Sequence, residues 1–210
     1  MSEADRRALV WAAFAFSAAL AAAIGVLAVF GMKSGIPLAL KTTARLAFLF
    51  FFSAYAGGAL TALFGDVFLP VKKRGRELGL AFAAAILVHL SVVACLCVLG
   101  PVPSKRTFAI FGAAAVSALL LVCLSFPWAR RRLPDNLWPP LRLIATNYIA
   151  FAFAYDFVQF SPSADVLEDI AYLPFAALAI LGPALRLAAW VKARPAPLAS
   201  ARTRSHSSSP

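Results

Sequence analysis

The sequence predicts an all-α protein, an integral membrane bundle of six transmembrane helices. Three observations predict it. Hydrophobic residues make up 62% of the 210 residues and charged residues only 14%, against roughly 45–50% apolar and about 25% charged in soluble domains. A soluble fold of this size could not hide that much apolar surface, so the excess must face lipid. The charges are also clustered between long apolar runs, and those runs approach the 20 or so residues that a helix needs to cross a bilayer.

The first run covers 8–30 and follows Arg6 and Arg7. It exceeds the roughly 7–15 residue apolar core of a cleaved signal peptide, so it is expected to be retained, with the arginine pair acting as a topogenic charge. The second covers 44–64 and holds small residues four apart at Ala54, Gly58 and Ala62. That spacing lets two helix backbones approach closely, within the chain or between copies. The third run is 78–99, and the fourth, 108–128, ends near Pro127. The fifth is about 141–160. The sixth, about 170–190, contains Pro174 and Pro183, which membrane helices tolerate where neighbours satisfy the freed backbone groups. Residues 1–192 thus read as one six-span domain. The Pro-, Ser-, Ala- and Arg-rich stretch 193–210 reads as a disordered cytoplasmic tail.

Charge orients the spans. Fourteen Lys and Arg residues fall in the N-terminus, the 65–77 and 129–140 loops and the region after 185. The other side carries Lys33, Lys41, Arg45, Lys105 and Arg106. The positive-inside rule then puts both termini in the cytoplasm, in a bacterial inner membrane, and the acidic 161–169 stretch with Asp165, Glu168 and Asp169 outside. The formal charge of +11 does not point to nucleic acid, because no basic stripe lies on a soluble segment large enough to fold. The bilayer itself is the expected partner.

Polar residues at membrane depth are the candidates for function. His89 lies near the middle of the third span and is the only histidine in any span. A neutral imidazole can ligate haem iron, or it can simply hydrogen-bond a neighbouring helix, and residue type alone favours the second role. Asn147 and Tyr148 lie in the inner half of the fifth span, Asp156 in its outer half and Arg142 near its cytoplasmic end. Asp156 reads as an interfacial, solvated carboxylate or as a proton relay, and Arg142 as a side chain that snorkels to the headgroups. Cys95, Cys97 and Cys123 lie in apolar runs and read as small buried hydrophobes, with no metal site implied. No set of catalytic residues and no Gly-rich phosphate loop is present.

The stretch 74–89 reads Arg-Gly-Arg-Glu-Leu-Gly-Leu, then an apolar helix ending Leu-Val-His. It resembles the third span of the ferric-reductase-like transmembrane superfamily. The likeness is strongest to the haem-binding membrane subunit of the periplasmic methionine sulfoxide reductase system. There, a basic pair and Leu-Gly-Leu lead to Leu-His, and Gly79 and His89 have the matching spacing of ten. The stretch 130–142, Arg-Arg-Arg-Leu-Pro-Asp-Asn-Leu-Trp-Pro-Pro-Leu-Arg, is similar to that family's loop into the fifth span, where Trp-x-x-Leu-His brings a second histidine.

The resemblance covers roughly 44–160. It implies a b-type haem held through His89 and a redox or periplasmic partner protein. Two positions depart from the pattern. Arg142 stands where the second histidine is expected, and Tyr155 and Asp156 stand where a further one is expected. The implied function is therefore a structural or partner-binding subunit with lost or reduced haem ligation. The alternatives are an electron-transfer subunit using His89 and a small proton-coupled transporter using Asp156 and Asn147.

Overall fold

A computed structural model describes residues 3–100, 102–158 and 166–194, with side chains for all of these except 127, 128 and 166–170. The expected tail from 195 onward and most of the acidic 161–169 stretch lie outside the described residues. Residues 166–169 do have a described backbone, and it is helical rather than loop.

Every regular element among the described residues is helical. They run in order α1 (Glu3–Phe64), a 3-10 turn (Asp66–Phe68), α2 (Leu69–Lys73), α3 (Gly75–Leu99), α4 (Lys105–Leu124), α5 (Pro127–Arg130), α6 (Trp138–Val158) and α7 (Val166–Ala193). Five of them, α1, α3, α4, α6 and α7, are long and apolar enough to cross a membrane.

The 62 residues of α1 are not one rod. Gly31 has φ 70° and ψ 176°, a conformation open in practice only to glycine. It divides α1 into a first arm, 3–30, and a second arm, 32–64. The arms fold back on each other, so a Cβ added at Gly35 would lie 3.2 Å from the Leu27 Cα. The apolar run expected over 44–64 is thus the inner part of a longer helix. Residues 32–43, Pro37 included, continue it outward instead of forming a loop.

The first arm packs through alanine. Ala8, Ala15, Ala19 and Ala23 are at most 3% exposed, and their spacing of seven, four and four places them on one helix face. The stripe expected to pack closely in the second arm, Ala54, Gly58 and Ala62, does not do so. Gly58 and Ala62 are exposed, and a Cβ on Gly58 would meet no atom within 4 Å. Close backbone approach occurs one residue earlier, where a Cβ on Gly57 would lie 3.1 Å from the Val71 Cγ1.

The second arm is the hub. Phe48 packs against Phe153 and Phe157 of α6 at ring-centroid distances of 5.1 and 5.0 Å and against Phe175 of α7 at 6.2 Å. Phe51 packs against Phe82 of α3 at 5.3 Å. The contact pairs also give direction. Phe51 with Phe82 and Thr43 with His89 make α3 antiparallel to the second arm. Phe48 with Phe175, and Ala62 with Lys192, make α7 parallel to it. On the far side, α4 packs antiparallel on α6: the Arg106 guanidinium lies 5.4 Å from the Tyr155 ring, and the Tyr148 hydroxyl donates to the Ile110 carbonyl at 3.3 Å.

One end of the bundle gathers the start of α1, the end of its second arm, α2, α5 and the end of α7, and with them most of the basic residues. Arg76 pairs with Asp5 at 2.8 Å, and Arg74 sits over the Trp11 ring at 5.9 Å, tying the first arm to the start of α3. Both members of the ion pair are more than a third exposed, so it contributes about 0–1 kcal/mol. Aromatic packing along the second arm holds the bundle, and these charges mark its ends.

Candidate functional site

His89 and Thr43 meet across the contact between α3 and the second arm of α1. Thr43 is fully buried, because its face of the arm, with Ala39 and Ala47, lies in the core. Its hydroxyl donates to the Ala39 carbonyl at 2.7 Å, the bond that a threonine commonly makes to its own helix. The His89 Nδ1 lies 3.0 Å from the same oxygen. The ring also hydrogen-bonds the Leu40 backbone on the same turn of the arm, so His89 is tied to the second arm at two places. His89 therefore cross-links two helices. Thr43 gave no signal in the sequence, since its partner is 46 positions away.

The other intramembrane polar residues do not converge on His89. Asn147 accepts a hydrogen bond from the Tyr55 hydroxyl at 2.7 Å. The Arg186 guanidinium lies 4.4 Å from the centroid of that same tyrosine ring. Tyr55 is twelve positions from Thr43, about 18 Å along the arm, so these are two separate places. Asp156 is exposed on the surface of α6 near its end, fourteen positions or about 21 Å from Arg142. No hydrogen bond or ion pair among the described residues joins Asp156 to His89.

Arg142 borders a cavity of about 1110 Å³ at the basic end of the bundle, enclosed by the second arm and by α3, α4, α6 and α7. The cavity exists because the facing helices carry small residues. Ala54 and Gly58 on the second arm, Gly79 and Ala83 on α3 and Ala118 on α4 all line it, and a Cβ on Gly58 or Gly79 would meet nothing within 4 Å. His89 is not among the lining residues. An arginine at 142 thus stands at the mouth of a cavity that His89 does not reach.

Two features escaped the sequence reading. Arg45, read there as a topological charge, buries Nε and Nη2 without a hydrogen-bond partner among the described residues. Its guanidinium is 4.5 Å from the Tyr172 ring and 5.4 Å from the Phe175 ring. Arg186, counted with the charges of the region after 185, lies about two turns inside the end of α7. The cysteines correct an expectation. Cys95 and Cys123 are exposed on the bundle surface and Cys97 is half-buried, because the core face of α3 is taken by Leu, Ala, Phe and Val and α4 buries only Ala118. Among the described residues no group of three or more His, Cys, Asp or Glu could hold a metal ion. Comparison with protein-family models, curated proteins and solved structures finds no match to this chain.

Proposed function

We propose that the chain is a six-span protein of the bacterial inner membrane, with its basic end in the cytoplasm. On this reading it is built on a ferric-reductase-like scaffold and serves as a structural or partner-binding subunit with reduced haem ligation. The observation that carries the reading is the bond between His89 and Thr43. The only spanning histidine is engaged with a neighbouring helix, it stands apart from the cavity, and among the described residues no second strong ligand joins it. The surroundings of His89 therefore do not fit a six-coordinate haem. An interhelical hydrogen bond in a membrane contributes about 0.6 kcal/mol and at most about 1.7, which suits a residue that positions α3.

The optical spectrum of the purified protein, oxidised and reduced, tests this. The expected result is no stoichiometric low-spin bis-histidine haem. A stoichiometric haem band that disappears in His89→Ala but survives in Thr43→Val would reject the proposal in favour of the electron-transfer alternative.

Six crossings follow if the hairpin at Gly31 lies on the outer side. Single cysteines introduced by Lys33→Cys, Lys73→Cys, Lys105→Cys and Arg131→Cys in a cysteine-free background check this. A membrane-impermeant thiol reagent added to intact spheroplasts is expected to label the first and third and to spare the other two. Labelling at Lys73→Cys, or none at Lys33→Cys, would contradict the topology.

A further inference from the structure

The cavity at the basic end has a lopsided chemistry. Six basic side chains line it (Lys72, Lys73, Arg76, Arg130, Arg142 and Arg186) and no Asp or Glu does. Two of the six have carboxylate partners, Arg76 with Asp5 and Arg130 with Asp135. The other four have no ion pair among the described residues. Below this collar the wall turns apolar, with Phe51, Phe82 and Ile149 at the deep end, all of them buried. The second arm lines the cavity from Phe51 to Ala59 and α3 from Gly75 to Ala83, so it extends about 12 Å along the helices.

Gathering like charges around one cleft is unfavourable. They repel one another, and the half-buried Arg186 also loses part of its solvation, while Lys72, Lys73 and Arg142 stay exposed. An anion placed among them removes both costs. Arginine's planar fork suits phosphate oxygens in particular, with two parallel hydrogen bonds. The volume slightly exceeds the roughly 300–1,000 Å³ of typical small-molecule pockets. The aromatic floor gives an apolar body a place that water would fill poorly.

We propose that this cavity is a binding site for a phosphate-bearing amphiphile, with the phosphate held at the collar by Arg142 and Arg186 and the apolar part against Phe51 and Phe82. An anionic phospholipid and a soluble phosphorylated compound share this chemistry. The site does not depend on the haem reading or on the sidedness of the chain.

The test uses the full-length protein in a zwitterionic detergent, followed by the fluorescence of Trp138 and Trp190, which line the cavity, and by native mass spectrometry. Short-chain phosphatidylglycerol is expected to bind saturably as a one-to-one complex, at least about tenfold more tightly than phosphatidylcholine of the same chain length. The double variant Arg142→Gln, Arg186→Gln is expected to weaken binding by about tenfold or more, the scale of one lost charge-assisted hydrogen bond. Gly58→Leu fills the space and keeps every charge, and it is expected to lose binding to a similar degree. Arg131→Gln, outside the cavity, is expected to leave binding unchanged. If inorganic pyrophosphate binds instead, with the same sensitivity to the double variant and to Gly58→Leu, the phosphate site stands and its natural ligand is a soluble phosphate compound. Absence of binding by both probes, or binding that Gly58→Leu and the double variant leave unchanged, overturns the proposal.

Discussion

Phe48→Ala is expected to destabilise the bundle by about 3 kcal/mol, the low end of the range for truncating a buried phenylalanine. Phe48 is 2% exposed and touches rings from its own arm, from α6 and from α7. Removing it leaves a void at the junction of three helices that none of them can close alone. The loss sits at the low end because in a membrane the unfolded reference is lipid, about as apolar as the core. The transfer contribution shrinks, and the lost dispersion contacts remain. Phe16→Ala is the control. Phe16 is 42% exposed on the first arm, facing outward, and its truncation is expected to change stability by no more than about 0.5 kcal/mol. Equilibrium unfolding of both variants in mixed micelles decides the matter. Equal losses would mean that the aromatic cluster is not the structural centre.

Gly31→Val is the second large effect, with an expected loss of up to about 3 kcal/mol from backbone strain. No neighbouring atom would obstruct the new side chain, because a Cβ there meets nothing within 4 Å. The whole penalty is conformational: φ 70° with ψ 176° is closed to a β-branched residue. The chain can escape the strain only by straightening the hairpin, which would separate Gly35 from Leu27 and pull the alanine face of the first arm off the core. Limited proteolysis at the hairpin should therefore accelerate along with the loss of thermal stability. Gly25→Ala gives the opposite sign. Gly25 is helical, exposed and sterically open, so an alanine there is expected to stabilise by about 0.5–1 kcal/mol. If both substitutions destabilised alike, the special role given to Gly31 would fail.

Much of the site was visible as a list of residues but not as an arrangement. His89, Asn147, Arg142 and Asp156 stood out because polar groups at membrane depth are rare. That rule says nothing about which of them meet. Thr43 and Tyr55, the actual partners of His89 and Asn147, carried no signal, since a threonine or tyrosine in an apolar run is unremarkable until a second helix brings it a partner. The small-residue stripe Ala54, Gly58 and Ala62 misled for a related reason. Four-residue spacing places residues on one face, but whether that face closes against a helix or opens onto a cavity depends on what lies opposite. Here Gly79 and Ala83 lie opposite, and small residues facing small residues leave space.

The sequence by itself determined the helical class, the long apolar helices and the grouping of basic residues between them. These follow from local composition, because a run that cannot be wetted must satisfy its backbone internally and a charge must stay near water. The tertiary structure alone decided that the second arm is the hub, that α1 folds back at Gly31, that His89 binds Thr43 and that six basic side chains line one cavity. Those outcomes depend on which helix faces meet, and pairwise packing across dozens of positions leaves no trace in the periodicity of any single helix.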